Sequence, residues 1–288
     1  MKKVFCLASL ILVLCSSCSA DIESSFVIKK GNQPEQLALN IGQGDTPYNG
    51  PVAITANDDK ILILDEVNLK IKVYNYNGRY QKSISIPKGL LYYDIAINKS
   101  EEILLLTDQG IYVVPKDERI KLLFELPDFV STPYYFFVDH LGNLVISCLA
   151  DQGRIKTGVI DSYGLFKEFK GSRIFSSYSG VIGLQNSREN IQLIQNNEVV
   201  HNITINPQVI PFGITDDFNV YLQEGTKTGV KLHKVNNKGI LQSREIKFES
   251  VLLFDDSSII KYFRLNRKGQ IIFLESDDNG FRVTVLNF

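Results

Sequence analysis

Six times along this chain a short apolar run stops on Asn or Asp, turns within a few residues, and resumes as a second apolar run. The stops are Asn57, Asn98, Asp139, Asn186, Asp217 and Asn266, and the runs resume at Ile61, Ile103, Leu144, Ile191, Val220 and Ile271. The mean spacing of the stops is about 42 residues, the period at which several strands make one repeating unit of a β-propeller. The pattern predicts an all-β fold, a six-bladed β-propeller. It leaves the function open.

The first unit is the most complete. Pro51 to Ala56 is a short extended run, Asn57 to Lys60 turns it, and Ile61 to Asp65 is a second strand. Lys70 to Tyr74 alternates polar and apolar, Asn77-Gly78 marks a hairpin, and Tyr80 to Ile86 is a fourth strand. Gly78, Gly164 and Gly239 recur where a third strand turns into a fourth. The fourth unit, with strands at Val181 to Asn186, Ile191 to Gln195 and Val199 to Ile205, is expected to lack its outermost strand or to have a very short one. An extra surface loop is expected at Glu249 to Ser258. The last unit shows three strands, Ile259 to Leu265, Gln270 to Glu275 and Phe281 to Leu286, before the sequence ends. An unpaired sheet edge is a liability, and Ser25 to Lys30 is a spare strand, so the N-terminal run is expected to close the last blade.

Pro51, Ala53, Ile54, Leu62, Leu64, Asp65, Asn68, Ile71, Val73, Tyr74, Asn77 and Gly78 resemble an NHL-type repeat. Pro211-Phe212-Gly213-Ile214-Thr215 echoes Pro51-Val52-Ala53-Ile54-Thr55 in the fifth unit. The resemblance implies one six-bladed domain over residues 21–288.

Residues 1–20 read as a leader. Lys2 and Lys3 supply positive charge, Val4 to Leu14 is apolar apart from Ser9, and a small polar stretch runs from Cys15 to Ala20. The apolar core is short for a bilayer span. Ser16-Ser17-Cys18 resembles a bacterial lipoprotein signal, with Cys15 standing where Leu is usual. That resemblance implies cleavage before Cys18 and acylation of Cys18, which anchors the protein in the membrane. Ser19 after the cysteine implies the outer membrane. Cleavage after Ala20 is the alternative and would release a soluble periplasmic or secreted protein. Of four cysteines, only Cys148 then remains without a role in the leader, so no internal disulfide is expected. It lies in an apolar strand and reads as a core residue.

Net charge is −1 and no Lys/Arg stripe tracks along the chain, which argues against nucleic acid as a partner. No nucleophile elbow, phosphate-binding glycine loop, His-Glu-x-x-His or calcium-loop spacing is present. His140, His201 and His233 fall in three units without metal-ligand companions, and read as a turn residue and two strand residues. The Asn and Asp stops, and the pairs Asp58-Asp59, Asp216-Asp217, Asp255-Asp256 and Asp277-Asp278, are explained by turn formation. No metal site and no cofactor are expected.

Aromatic residues are the remaining signal. Tyr92-Tyr93, Tyr134 to Phe137, Phe212 and Tyr262-Phe263 all fall in the first strand of a unit, the strand that lines a propeller's channel. Alternation sends neighbouring side chains to opposite faces, so some rings fill the wedge between blades while others approach the channel. Tyr93, Tyr135, Phe137 and Tyr262 are the expected ligand-binding positions. The expected function is a membrane-anchored, non-catalytic binding or scaffold lipoprotein of the cell envelope. Its partner is a protein or glycan at one propeller face. The alternative is a metal-dependent lactonase- or lyase-type enzyme, which rests on fold analogy.

Overall fold

The computed structural model describes residues 22–288 apart from 41–49, 116, 118, 140–141, 151–153, 162–163, 169–172, 178–179, 181, 188, 197, 207, 228, 248–258 and 278. The leader with Cys18, His140 and the stretch Glu249 to Ser258 lie outside the described residues.

Six four-stranded antiparallel sheets form the blades of a propeller. β1 (Ile22–Lys29) comes before them in the chain. Blade 1 holds β2 (Pro51–Ala56), β3 (Lys60–Asp65), β4 (Lys70–Asn75) and β5 (Tyr80–Ser85). Blade 2 holds β6 (Tyr92–Ile97), β7 (Ile103–Thr107), β8 (Gly110–Val114) and β9 (Lys121–Glu125). Blade 3 holds β10 (Val130–Val138), β11 (Leu144–Ala150), β12 (Arg154–Ile160) and β13 (Phe166–Glu168). Blade 4 holds β14 (Arg173–Ser176), β15 (Ile182–Ser187), β16 (Asn190–Gln195) and β17 (Glu198–Thr204). Blade 5 holds β18 (Val209–Ile214), β19 (Val220–Gly225), β20 (Gly229–Asn236) and β21 (Gly239–Lys247). Blade 6 holds β22 (Phe263–Leu265), β23 (Ile271–Asp277) and β24 (Gly280–Leu286), with β1 as its outer strand.

Each blade is covered on both faces. Ile61 and Ile63 of β3 and Tyr74 of β4 pack toward blade 6, whereas Leu62, Leu64, Ile71 and Val73 pack toward blade 2. A strand buried on both faces reads as an unbroken apolar run rather than an alternating one. The run Ile61 to Leu64 has that origin, and so have Ile103 to Leu106 and Leu144 to Ile146. The same run explains Cys148, which is fully buried in β11 with its thiol pushed up to about 11 by burial.

Closure follows the expectation from the spare N-terminal strand. β1 pairs antiparallel with β24, Phe26 opposite Val283 and Ile28 opposite Phe281. The chain then crosses to blade 1, where Lys72 donates to the Pro34 carbonyl at 2.8 Å and the Tyr74 hydroxyl donates to the Glu35 carbonyl at 3.1 Å. Lys72 is buried, and desolvation lowers its pKa from the ordinary lysine value. Gly78 sits in the β4–β5 turn at φ +75°, and a Cβ there would come within 2.5 Å of the Phe26 ring. The Asn77-Gly78 signal therefore serves both the hairpin and the approach of the closing strand. Gly164 and Gly239 also take positive φ at their third-to-fourth-strand turns.

Three expectations are corrected. Blade 4 is complete: its first strand is Arg173–Ser176, and Asn186 lies inside β15, so the fourth stop is Ser177. The fifth stop is Thr215, whose N–H donates to the Asn219 carbonyl as Asn57, Asn98, Asp139 and Asn266 do to theirs. With these assignments the stops on either side of blade 4 are both 38 residues from Ser177. In blade 6 the expected strand Ile259 to Leu265 is a 3-10 turn, Ile259–Tyr262, followed by only three residues of strand.

If β1 closes the ring, its buried side chains should carry core-sized energies. Ile28→Ala is expected to lower urea-unfolding stability by about 2–4 kcal/mol, and Val27→Ala, on the exposed side, by less than about 0.5 kcal/mol. Equal small effects would contradict the closure.

Candidate functional site

The first strands stand around the axis, β2 against β6 and β22, β6 against β10, and β18 against β14 and β22. Counting back from the six stops aligns them. Two residues before each stop stand Thr55, Ala96, Phe137, Phe175, Gly213 and Arg264, one per blade, and all six line a single cavity of about 460 Å³. The first turns form its rim, with Asn57, Lys99, Asp139, Thr215, Asp216 and Lys268 among them. The cavity is thus the channel mouth on the side of the first turns. Four residues before the stops stand Ala53, Asp94, Tyr135, Arg173, Pro211 and Tyr262.

An ion pair floors the cavity. Asp94, from blade 2, is completely buried and pairs with Arg264 from blade 6. The other Asp94 oxygen accepts the Phe136 N–H of blade 3 at 3.0 Å, and the paired oxygen also accepts the Ile95 N–H at 2.8 Å. One carboxylate therefore ties three first strands together across the axis. Arg264 also donates to the Phe263 carbonyl at 3.1 Å. Burial raises the Asp94 carboxyl above its ordinary value, while the Arg264 charge and the backbone donors oppose the rise.

The walls are aromatic between blades 5 and 6. Phe212 contacts Tyr221 edge-on at 6.3 Å, and Tyr221 contacts Phe288 at 6.2 Å. Lys234 lies 5.8 Å over the Tyr221 ring and donates to the Phe288 main-chain oxygen at 3.1 Å. Gly213 leaves room for Leu265 of the next blade, which a Cβ would meet at 2.9 Å.

Two rim carboxylates, Asp139 and Asp217, serve their own turns. Asp139 accepts the Asn143 N–H at 2.8 Å and its side-chain amide at 3.0 Å. Asp217 accepts the Thr215 hydroxyl, and the Asn219 amide at 2.5 Å. This is the local bonding that makes Asn and Asp turn residues. Among the described residues, no three or more His, Cys, Asp or Glu gather where they could hold a metal ion.

The four aromatic positions expected at a ligand do not share one mouth. Phe137 lines the cavity. Tyr135 pairs through its backbone with Ser147, at the level of the floor. Tyr93 is the unpaired residue of a bulge between Tyr92 and Asp94, and Lys261 lies 5.6 Å over its ring. Tyr262 is buried, its hydroxyl donating to the Pro51 carbonyl at 2.9 Å. Tyr262 thus stands at the level of the Asp94–Arg264 floor, four residues before its stop, and Tyr93 stands one residue further from the mouth.

The cavity residues that sequence reasoning missed are Phe175, Tyr221, Phe288, Lys234 and Arg264. Only the position of Phe175 and Arg264 two before a stop could have signalled them. His201 packs edge-on against Phe218 at 5.2 Å. His233 is buried, bonded to Ser243 at 2.7 Å and to Glu224 at 3.0 Å across three strands of blade 5.

No protein-family model and no curated protein sequence matches this chain. Solved structures do. A gluconolactonase from Xanthomonas campestris superposes with a TM-score of 0.55 at 10% identity, covering 92% of this chain and 98% of that one. Regucalcin from Agrobacterium tumefaciens, a calcium-binding protein, gives 0.54 at 11%, covering 82% and 90%. Virginiamycin B lyase from Staphylococcus aureus gives 0.51 at 15%, covering 83% and 95%. The shared property is the six-bladed propeller fold. At such identities the likeness reaches no further.

Arg264→Met leaves Asp94 buried without its partner and is expected to cost about 3–5 kcal/mol at neutral pH. A carboxyl raised in the fold favours folding below its unfolded pKa, and that contribution is lost as pH rises through the folded value. The deficit should therefore shrink toward acid, and adding Asp94→Asn should recover most of it. Urea unfolding between about pH 4 and pH 8 checks both; a loss independent of pH would contradict the pairing.

Proposed function

We propose that this protein is a binding protein of the bacterial cell envelope, held at the outer membrane by acylation of Cys18 and taking part of a protein or glycan into the cavity at the first turns. The observation that supports the reading is the composition of that cavity. Its volume falls within the range of small-ligand sites. Its walls offer the faces and edges of Phe137, Phe212 and Tyr221, and its rim offers the charged side chains of Lys99, Asp216 and Lys268. Aromatic faces with nearby polar groups suit one sugar ring or one aromatic or aliphatic side chain. The NHL-like spacing of blade 1 belongs to the same reading.

Screening the purified protein against glycan and peptide arrays tests it. Phe137→Ala is expected to weaken the selected ligand at least about tenfold, the loss of roughly 1.4 kcal/mol of contact, measured below the variant's own thermal midpoint because Phe137 also packs against the core of blades 4 and 5. A ligand bound equally by the variant, or no ligand in either array, would refute the pocket.

The second reading is a metal-dependent lactonase- or lyase-type enzyme, suggested by the activities named for the gluconolactonase and the lyase that share the fold. Its requirement is a set of carboxylate, amide or imidazole ligands converging at one mouth. Against it, Asp139 and Asp217 are engaged in their own turns, while Asp216 and Asn266 stand at the same mouth. Native mass spectrometry decides between the two: a stoichiometric divalent ion on the protein would replace the binding reading with the enzymatic one.

A further inference from the structure

The fourth strands carry a pattern that the channel does not use. Each begins at a third-to-fourth-strand turn, and antiparallel order puts those turns on the same face of the ring as the first turns and the cavity mouth. In four consecutive blades the residues at this point are aliphatic and exposed. They are Leu122 and Leu123, then Leu165, then Val199 and Val200, then Ile240 and Leu241. Leu165 and Ile240 are 67% and 66% exposed. Of the nine large hydrophobic residues exposed among the described ones, seven belong to this arc, and Val27 and Leu91 stand toward the other face. Scattered exposed aliphatics are ordinary on a soluble surface, whereas seven of nine at equivalent positions on one face form a bias that a contact would explain.

A second observation says what covers it. β1 is the fourth strand of blade 6 and runs from Ile22, opposite Leu286, to Lys29, opposite Gly280. Its beginning therefore lies on the face that carries the arc. Cys18 precedes Ile22 by four residues, a length of chain that spans at most roughly 14 Å. An acyl group on Cys18 holds the β1 end of this face within that distance of the lipid.

We propose that the face bearing the first turns is seated on the bilayer, its aliphatic arc entering the interfacial layer beside the acyl chains. The inference rests on the lipid-anchor reading above. Acyl chains combined with a second membrane contact hold far more stably than one lipid chain alone. Exposed charge near the mouth is mixed, with Arg267 and Lys268 from blade 6 and Asp216 and Asp217 from blade 5, so the seat needs no anionic lipid. The cavity opens on the same side, and what enters it is presented at the membrane surface.

Full-length protein, isolated from membranes and reconstituted in phosphatidylcholine vesicles, tests this with nitroxide labels on Leu165→Cys, Ile240→Cys and Leu91→Cys. Native Cys148 is buried and does not compete for label. Intact mass is read first for the acyl chains on Cys18. The expected result is an acylated protein whose labels at positions 165 and 240 collide preferentially with oxygen, while the label at position 91 collides with a water-soluble nickel chelate. An acylated protein with all three labels equally open to nickel overturns the seating and leaves the anchor intact. Labels at 165 and 240 shielded from both reagents mean that a protein partner or second copy covers the arc, which also overturns it. A protein without acyl chains removes the anchor reading and this inference with it.

Discussion

Every sheet in this protein is buried on both faces, and that single constraint organises the rest. A blade in the middle of an open row would be satisfied, but the two end blades would each expose an apolar face. The ring must therefore close. β1 does so by joining β24, so that Ile28, Tyr74, Phe281 and Val283 enter one core shared by the last blade and the first. Lys72 and the backbone of residues 33–35 add a polar clasp on the outer part of blade 1.

Closure also creates the channel. Six first strands share one level, and each contributes one side chain, or in blade 5 a glycine, to the same cavity. The residues at that level are unlike one another, so a symmetric scaffold carries an asymmetric site. Phe137 and Phe175 make one side apolar, and Arg264 brings a cation to the floor. The cation is tolerated because Asp94 meets it from across the axis. The same carboxylate binds the backbone of blade 3, which couples the cavity floor to the geometry of three blades.

The blade count, the strand pattern of blade 1 and the N-terminal closure were legible in the sequence, because both-face burial writes long aliphatic runs between Asx turns. Two blades were harder. β14 shows only Ile174 and Phe175 as apolar residues, so its run is too short to stand out. The first strand of blade 6 is cut to three residues by a 3-10 turn. The site was half legible. Phe137 and Phe212 stood in recognisable first strands, but the meeting of Asp94 with Arg264 joins residues 170 positions apart. No local pattern encodes a pair of that kind. Tyr262 was visible as an aromatic residue near the axis, yet only the fold shows that its hydroxyl is held by Pro51.

Native-state hydrogen exchange tests the closed ring most directly. The amides of β1 that bond to β24 should exchange as slowly as those of β3 and β7, through unfolding of the whole propeller. Should the β1 amides exchange orders of magnitude faster while β3 and β7 stay protected, the N-terminal strand does not close the ring, and the cavity must be explained without it.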